Sequence, residues 1–379
     1  MSFRRAVGGD LDIILVDTMG VTTDYLAHQL TQRGVRVHLF TPSSRWPPNI
    51  LRGAYAYHSY TPFGDEPSNS FAAMVDRVKP AFIIPTTENA VYFMWNQPAQ
   101  LQELCIPNVP PAIRPLLSDR ALLLGKAAEW GVSTPESIPL TNLDDCLTAI
   151  EKGLPLVVKS GQSTASNGVA LCNTSDEVIQ AFNKFFRKDS SVTAQRFYVG
   201  PTYMAGGLFV HGEAVHFYAG EQTIMWPPLT GYSHEIQSAS EPHLSALLKA
   251  TETVCKNLDW TGLAAFDFVL DENSQFRFVD FNPRLWGSAG AVNTAGVDLY
   301  GGIDRLLRTG SAGPSSKSTP DVTYRVFPKY TMYPSSVSMW RRLMGLRDAP
   351  WDAPLMTLTE IMYKAVFRLG VFNPKPVEE

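Results

Sequence analysis

Two aspartates and an asparagine stand out because each lies within a run of apolar residues. Asp267 lies in one run, Asp280 and Asn282 lie in the next, and the polar residues 271–274 separate the two runs. This pattern predicts two strands joined by a hairpin, which brings the two carboxylates side by side. Alternate residues of a strand share a face, so Asn282 is predicted beside Asp280. These oxygen ligands suit Mg²⁺, which is usually shared with the phosphates of a substrate.

Arg284 follows Asn282 by two positions and lies on the same face if the strand continues. Its guanidinium could hold a phosphate through its fork of donors. The alternative interpretation is a plain hairpin with a salt bridge at its end. Two aspartates in apolar strands are costly unless they are paired or bind a metal, so we favour the interpretation with a metal and a phosphate.

The segment 261–288 resembles the metal-binding end of the ATP-grasp superfamily, where an acidic residue and a hairpin precede Glu-x-Asn-Pro-Arg. It is most similar to the branch that holds carbamoyl-phosphate synthetase, biotin carboxylase and carboxylate–amine ligases. The resemblance implies that Asp267, Asp280 and Asn282 hold Mg²⁺, with Mn²⁺ as a substitute, on the phosphates of ATP. It also implies that Arg284 steadies an acyl phosphate. The second acid is usually Glu, and Asp280 is one methylene shorter.

Bulk composition excludes several classes of protein. A chain of 379 residues predicts two or three linked units, and 45% hydrophobic with 18% charged residues is typical of a globular protein. The net charge of −4 without a basic stripe argues against a nucleic-acid partner. Four scattered cysteines without a CxxC pair predict neither a zinc nor a redox site. We find no signal peptide and no apolar run of ~18 residues, so we expect no membrane partner and a cytoplasmic location.

The N-terminal part alternates predicted strands with predicted helices, which indicates a parallel sheet with helices on both faces. The first turn lacks GxGxxG, which argues against a dinucleotide site and a Rossmann oxidoreductase. The ATP-grasp resemblance implies a Rossmann-like unit over 1–112. The predicted elements are strands at 12–17, 35–40 and 81–85, and helices at 22–33, 70–78 and 88–103.

A helix is predicted over 119–130 with Ser118 as its N-cap. In the family, the basic residue of an Asp–Arg pair at this place reaches the phosphates of ATP. The resemblance therefore assigns Arg120 to ATP, with Lys126 as a second candidate. The alternative is a solvated helical arginine.

Lys159 ends the apolar run 154–159, and the small residues 160–168 follow it. A phosphate partner would explain a lysine at this position, whereas the alternative is a side chain that snorkels to solvent. The loop could close its backbone N–H groups around an anion. In the family, this lysine binds ATP and the loop covers the phosphates as a lid. The resemblance thus assigns Lys159 to ATP and to catalysis, and Ser166 and Gly168 to ATP.

Residues 191–201 are similar to the family's hinge strand, which reads the edge of adenine. The alternative is an ordinary linker between two lobes. Residues 224–235 are predicted as a loop where relatives keep substrate contacts, with His234 and Glu235 as candidates; a structural role is the alternative for His234. The hinge residues that the resemblance assigns to ATP are Gln195, Arg196, Tyr198 and Thr202.

The resemblance covers about 10–310 and implies an α/β protein with an N-terminal Rossmann-like parallel-sheet unit followed by a two-lobed ATP-grasp domain. The domain would span 113–310, with a small lobe over about 153–197 and a large lobe over about 198–310. A linker and a C-terminal extension packed on the body would occupy 311–379.

The implied activity is that of an ATP-dependent carboxylate–amine ligase. A carboxylate takes the γ-phosphoryl group, ADP leaves, and an amine attacks the acyl phosphate to form an amide. The partners are then a small carboxylate and a small amine, commonly with an amino acid as one of them, and homodimers are frequent among relatives. The alternative is a non-catalytic nucleotide-binding protein of the same fold, which Asp280, Thr202 and the glycine-poor loop favour.

Overall fold

The computed structural model describes residues 11–42, 57–160, 168–186, 191–226, 231–332 and 338–368. Its first unit is a parallel sheet with strand order β3-β2-β1-β4. Ile13 packs with Leu26 in one core, whereas Ile14 packs with Phe71 in another, so helices cover both faces as predicted. The elements are β1 (Leu11–Val16), α1 (Val21–Thr31), β2 (Val35–Thr41), β3 (Ser59–Pro62), α2 (Pro67–Val78), β4 (Phe82–Pro85), α3 (Glu88–Trp95) and α4 (Ala99–Gln102).

The carboxyl ends of β1 and β4 are tied together at one edge of this sheet. The Thr86 hydroxyl donates to the Asp17 carbonyl at 2.8 Å, and the Thr87 hydroxyl donates to the Asp17 carboxylate at 2.7 Å. Thr87 also accepts from the Ala90 N–H at 3.1 Å and so caps α3. These bonds place Glu88 at the edge of the sheet where α/β proteins bind ligands.

Two helices, α5 (Arg114–Ser118) and α6 (Arg120–Glu129), lead out of the first unit. The prediction that Ser118 is the N-cap of α6 is wrong. Ser118 is the last residue of α5, and its hydroxyl donates back to the Arg114 carbonyl at 3.1 Å. Asp119 caps α6 instead, because its carboxylate accepts from the N–H groups of Ala121 at 2.9 Å and Leu122 at 3.1 Å. A carboxylate at this end also complements the helix dipole.

Replacing Asp119 by Ala should lower the free energy of unfolding by about 1 kcal/mol, the usual cost of losing an N-cap. Replacing Ser118 by Ala should change it by less than about 0.5 kcal/mol, since its hydroxyl caps no helix start. Urea unfolding followed by circular dichroism measures both variants. A larger loss in the Ser118 variant would contradict this assignment.

The second unit is an antiparallel sheet with strand order β5-β8-β6-β7 among the described residues. Its apolar face packs Val158 and Ala194 against Phe182. The sheet begins at Ser137, where β5 pairs with β8. Its elements are β5 (Ser137–Leu140), α7 (Leu143–Glu151), β6 (Leu156–Ser160), β7 (Val169–Cys172), α8 (Ser175–Phe185) and β8 (Val192–Arg196).

The third unit is a large sheet in which β13, β12, β9, β10 and β11 are antiparallel neighbours in that order. Gly207 permits the close approach of β10, because a Cβ there would lie 1.9 Å from the His216 carbonyl oxygen. Its elements are β9 (Thr202–Val210), β10 (Glu213–Trp226), β11 (Tyr232–Ser238), α9 (His243–Asn257), β12 (Gly262–Leu270), β13 (Phe276–Asn282), α10 (Gly290–Thr294) and α11 (Leu299–Thr309).

The prediction of a loop over 224–235 is wrong at both ends of the segment. Met225 pairs with Ser233 and Trp226 pairs with Tyr232, so these residues extend β10 and begin β11. Cross-strand pairing keeps both ends in the sheet, and the rest of the segment, 227–230, lies outside the described residues.

The C-terminal segment adds two short strands to the large sheet. Its elements are β14 (Ser316–Lys317), β15 (Thr323–Arg325), α12 (Met339–Leu343) and α13 (Pro354–Arg368). Strand β14 pairs with β10, and strand β15 pairs with β11. Arg325 reinforces the β11–β15 pairing through Glu235 at 3.6 Å and Asp348 at 3.2 Å. Within the described ranges, none of the helices has the length and apolarity that crossing a membrane requires.

Candidate active site

The β12–β13 hairpin places Asp267 directly opposite Asp280, as the spacing of the two residues predicts. Asn282 pairs with Ala265 two positions along the ladder, so it shares the face of Asp280. The hairpin is held beneath by aromatic packing of Phe266 on Phe281, whose ring centroids lie 4.9 Å apart. The apolar face of each strand thus fixes the polar face that carries the two carboxylates and the amide.

Burial raises the pKa of Asp267 to about 7, with repulsion from Asp280 as the second cause, while Lys159 opposes the shift. Each of the two carboxylates and the Asn282 amide also lies beside a donor. The Gln222 amide donates to Asp267 at 3.1 Å, the Arg120 Nε atom lies 2.8 Å from Asp280, and the Arg284 guanidinium donates to Asn282 at 2.9 Å.

The side chains of this face fit a divalent cation that is shared with a phosphate ligand. Among the described residues, no three His, Cys, Asp or Glu side chains gather closely enough to form a metal cage by themselves. Two adjacent carboxylates and an amide are, however, the partial oxygen set that Mg²⁺ takes when waters and phosphates complete its shell. A cation between Asp267 and Asp280 would also remove the repulsion that raises the pKa of Asp267.

Arg120 reaches the hairpin from the first turn of α6. Besides Asp280, it contacts Glu88 at 3.7 Å and donates to the Ser160 carbonyl at 3.4 Å. Its side chain is only 14% exposed, and the Asp280 carboxylate is the main cause that raises its pKa. The sequence analysis missed Glu88, although its position after a buried parallel strand was a usable signal.

Lys159 faces the same hairpin from β6. Its Nζ atom donates to the Val279 carbonyl at 3.2 Å. Burial lowers its pKa, while the negative charges of Asp280 and Asp267 act in the opposite direction. The lysine therefore lies within the field of both carboxylates. Gly168 is buried just before β7, whereas Ser166 and the remainder of the predicted lid over 161–167 lie outside the described residues.

A cavity of about 350 Å³ separates the two antiparallel sheets and lies in the usual size range of ligand pockets. It gathers nearly all of the predicted site residues. Those in its wall are Arg120, Lys159, Gln195, Arg196, Tyr198, Thr202, Asp267, Asp280, Asn282 and Arg284. Residues that the sequence analysis did not assign also line it, among them Met19, Glu88, Gln222, Tyr232, Ser233 and Lys329.

The segment that joins the two sheets forms one end of this cavity. Gln195 is 3% exposed, and its amide donates to the Ser137 hydroxyl at 3.2 Å. The Arg196 guanidinium lies 5.4 Å from the ring centroid of Tyr198, and the Thr202 hydroxyl donates to the Met225 sulfur at 3.0 Å. These contacts arrange an amide, a ring and a hydroxyl along one wall.

No protein-family model matches the chain. Among curated proteins, it is similar to D-alanine–D-alanine ligase B of Pseudomonas syringae pv. tomato, with 35% identity over 79 residues, 21% of this chain and 25% of the relative. It is also similar to the D-alanine–D-alanine ligase of Ectopseudomonas mendocina, with 27% identity over 161 residues, 40% of this chain and 50% of the relative. The chain thus spans half or less of the length of these relatives.

Solved structures match over most of the chain. The biotin carboxylase domain of Hydrogenobacter thermophilus 2-oxoglutarate carboxylase, a dimer with MgADP, has a TM-score of 0.65 at 13% identity, covering 81% of this chain and 72% of that one. An L-amino acid ligase from Bacillus licheniformis has a TM-score of 0.60 at 18% identity, covering 80% and 75%. The chain has the ATP-grasp fold.

A third ATP-grasp structure, the N5-carboxyaminoimidazole synthetase of Staphylococcus aureus complexed with ADP, has a TM-score of 0.63 at 16% identity and covers 83% of this chain and 80% of that one. The sequence identities are low throughout, so these likenesses establish the fold. The roles of individual side chains must therefore be inferred from the geometry of the cavity.

Three candidates lie away from the cavity of this ATP-grasp fold. Lys126 pairs with Glu129 at 2.7 Å on the exposed face of α6. Glu235 binds Arg325 across the β11–β15 pair. His234 is buried, and its Nδ1 atom donates to the Tyr232 carbonyl at 3.0 Å. None of the three lines the cavity, whose wall includes the neighbouring Tyr232 and Ser233 instead.

Proposed function

We propose that this protein is an ATP-dependent carboxylate–amine ligase that forms an amide bond through an acyl phosphate and releases ADP and phosphate. One observation carries the proposal: cationic side chains from three separate elements meet two adjacent carboxylates in one cavity. The cations are Arg120, Lys159 and Arg284. The names of the similar proteins, which include D-alanine–D-alanine ligases and an L-amino acid ligase, support an amino acid as one substrate.

ATP would lie with its adenine at the wall formed by Gln195, Arg196 and Tyr198, and with its ribose toward Thr202. Asp267, Asp280 and Asn282 would hold Mg²⁺, or Mn²⁺ in its place. When bound, the ion supplies charge neutralisation at the phosphates. The MgADP and ADP complexes of similar structures support this arrangement.

The residues of the chain then act by position and charge. Lys159 and Arg120 draw negative charge from the γ-phosphoryl group while an oxygen of the carboxylate substrate attacks its phosphorus and ADP departs. Arg284 holds the resulting acyl phosphate. The amine attacks the acyl carbon, loses a proton, and phosphate leaves with the former carboxylate oxygen.

This route needs no nucleophile from the protein. The cysteines of the chain are buried, and burial raises the pKa of each thiol, most strongly that of Cys255. Such thiols are poor nucleophiles. Catalysis by positioning and electrostatics agrees with this chemistry.

We extend the proposal to the rest of the molecule. The parallel sheet of β1–β4 would be the Rossmann-like unit over 1–112, ahead of an ATP-grasp domain over 113–310. Ser166 and Gly168 would belong to a lid over 160–168 that closes on the phosphates. A homodimer in the cytoplasm is the expected state, and the dimeric biotin carboxylase domain supports that assembly.

A non-catalytic nucleotide-binding protein is the second candidate. Two observations favour it: the shorter acid Asp280 is already engaged by Arg120 at 2.8 Å, and the Thr202 hydroxyl is engaged by Met225. Such a protein would bind MgATP without consuming it.

Incubation with MgATP and pooled amino acids and small carboxylates, followed by chromatography of the nucleotides, separates the candidates. We expect ADP and phosphate to appear with particular pools and not in the control without acid. AMP and pyrophosphate would contradict the acyl phosphate route. Binding of MgATP by calorimetry with no consumption in any pool would favour the non-catalytic protein.

A further inference from the structure

Lys329 brings a cation from the C-terminal segment into the wall of the main cavity. The segment is anchored where β15 joins β11, and the Val326 N–H donates to the His234 carbonyl at 2.8 Å just beyond that pair. The Tyr330 N–H donates to the Val326 carbonyl at 2.8 Å, which fixes the turn that carries Lys329. The lysine is therefore held in place by main-chain bonds on both sides.

The ammonium of Lys329 packs against an aromatic ring and a glycine. Its Nζ atom lies 4.5 Å from the ring centroid of Tyr232, and a Cβ at Gly287 would lie only 3.2 Å from it. Burial lowers the pKa of Lys329 to about 8, and the nearby Arg284 charge acts in the same direction. Within the described part of the chain, Lys329 forms no ion pair with a carboxylate.

Lys329 and Arg284 line the same cavity. Gly287, three residues after Arg284, lies beside the Lys329 ammonium, so the two cations are near each other. The positive charge of Arg284 also contributes to the lowered pKa of Lys329. Two neighbouring, partly buried cations repel each other, and an anion between them would remove that cost.

We propose that Arg284 and Lys329 together bind the carboxylate of the acid substrate. This inference rests on the proposed ligase function. An oxygen held there lies next to the phosphate-binding cations and can attack the γ-phosphorus, while Lys329 keeps the other oxygen in place. Tyr232 packs against the lysine, and Gly287 leaves the space that its ammonium needs.

Lysine labelling tests this site independently of turnover. The full chain is pulsed with isotopic acetic anhydride at pH 8, where a group with a pKa of about 8 is half unprotonated, and labelled peptides are quantified by mass spectrometry. MgADP should protect Lys159. Adding the pooled amino acids and small carboxylates should then slow labelling of Lys329 by about tenfold at about ten times the dissociation constant. The exposed Lys317 serves as the control and should label equally in all samples.

The two proposals fail in distinguishable ways. Protection of Lys159 without protection of Lys329 by any acid overturns the carboxylate site and leaves the proposed ligase intact. Protection of Lys329 by an acid, with Lys159 unaffected by MgADP, supports the carboxylate site and overturns the nucleotide site.

Variants give a second test with an acid that supports ADP release. Lys329→Met should raise the KM for the acid by about 10- to 100-fold, the effect of losing one hydrogen bond to a charged group, and change the KM for ATP less than about twofold. Lys329→Arg should restore part of the loss, and Lys317→Met should have no effect. An unchanged KM for the acid, or an equal rise in the KM for ATP, would overturn the inference.

Discussion

Replacing Asp267 by Asn should abolish ATP turnover while stabilising the metal-free protein. Burial and the neighbouring Asp280 raise the pKa of Asp267 from 3.8 to about 7. Because the folded-state pKa is the higher one, this group contributes stability that is full below pH 3.8 and is lost as the pH rises through about 7. Asparagine carries no charge, so the variant escapes this loss at alkaline pH.

The loss of activity has a separate cause. The variant removes one of two anionic ligands from the face that we propose for Mg²⁺. Metal ions contribute several kcal/mol of charge stabilisation, and at 1.36 kcal/mol for each tenfold change this is about a thousandfold in rate. Stability and activity should thus move in opposite directions, which general damage to the fold would not produce.

Thermal unfolding in EDTA at pH 5 and pH 8, together with ADP release in MgATP, measures both effects. A gain of about 1 kcal/mol would raise the Tm by about 1–2 °C at pH 8, with a smaller rise at pH 5. Asp259→Asn is the matched control, because Asp259 is exposed and lies outside the cavity wall. Retained turnover, or a lower Tm at pH 8 than that of the natural chain, would refute the assignment.

Replacing Arg284 by Lys should reduce kcat/KM for the acid by about 10²–10³-fold, the usual effect of removing one donor aimed at developing charge. Lysine keeps the positive charge but loses the planar fork that holds two oxygens at once. The Arg284 guanidinium donates hydrogen bonds to the Asn282 side chain at 2.9 Å and to the Leu285 carbonyl at 2.8 Å. These two bonds fix the orientation of its plane in the cavity wall.

Steady-state kinetics with each substrate varied would measure this effect, and hydroxylamine trapping would report the acyl phosphate. We expect the trapped product to fall with kcat/KM while the KM for ATP stays within about twofold, since Lys159 and Arg120 remain. The exposed Arg347, outside the cavity wall, provides an Arg→Lys control that should keep full activity. Unchanged trapping in the Arg284 variant would exclude a role at the acyl phosphate.

The hairpin that carries Asp267, Asp280 and Asn282 could be predicted because the evidence for it is local in the sequence. Period-2 alternation fixes which side chains share a face, and a short polar turn fixes the register of two adjacent strands. Those rules placed Asp267 opposite Asp280 and Asn282 beside them. The parallel sheet was predictable for the same reason, since β1 and β4 are each followed within a few residues by a helix.

The features that could not be predicted from the sequence depend on contacts between residues far apart in the chain. Lys329 reaches the cavity because β15 pairs with β11, and no local pattern predicts that two segments so far apart in the chain will become neighbours. The ends of the segment 224–235 were predicted as loop because turn-forming residues dominate its middle, whereas cross-strand pairing of Met225 with Ser233 decided the outcome. The prediction of the N-cap of α6 missed by one residue, because Ser118 and Asp119 are adjacent and both residue types are good N-caps.

Transfer of ¹⁸O tests the central claim most directly. An acid that supports ADP release is labelled in its carboxylate oxygens, incubated with MgATP and the amine, and the phosphate is analysed by mass spectrometry. The account predicts one ¹⁸O atom in each molecule of phosphate, because the carboxylate oxygen that attacks the γ-phosphorus leaves with it. Unlabelled phosphate, or label found in AMP, would contradict activation of the carboxylate as an acyl phosphate.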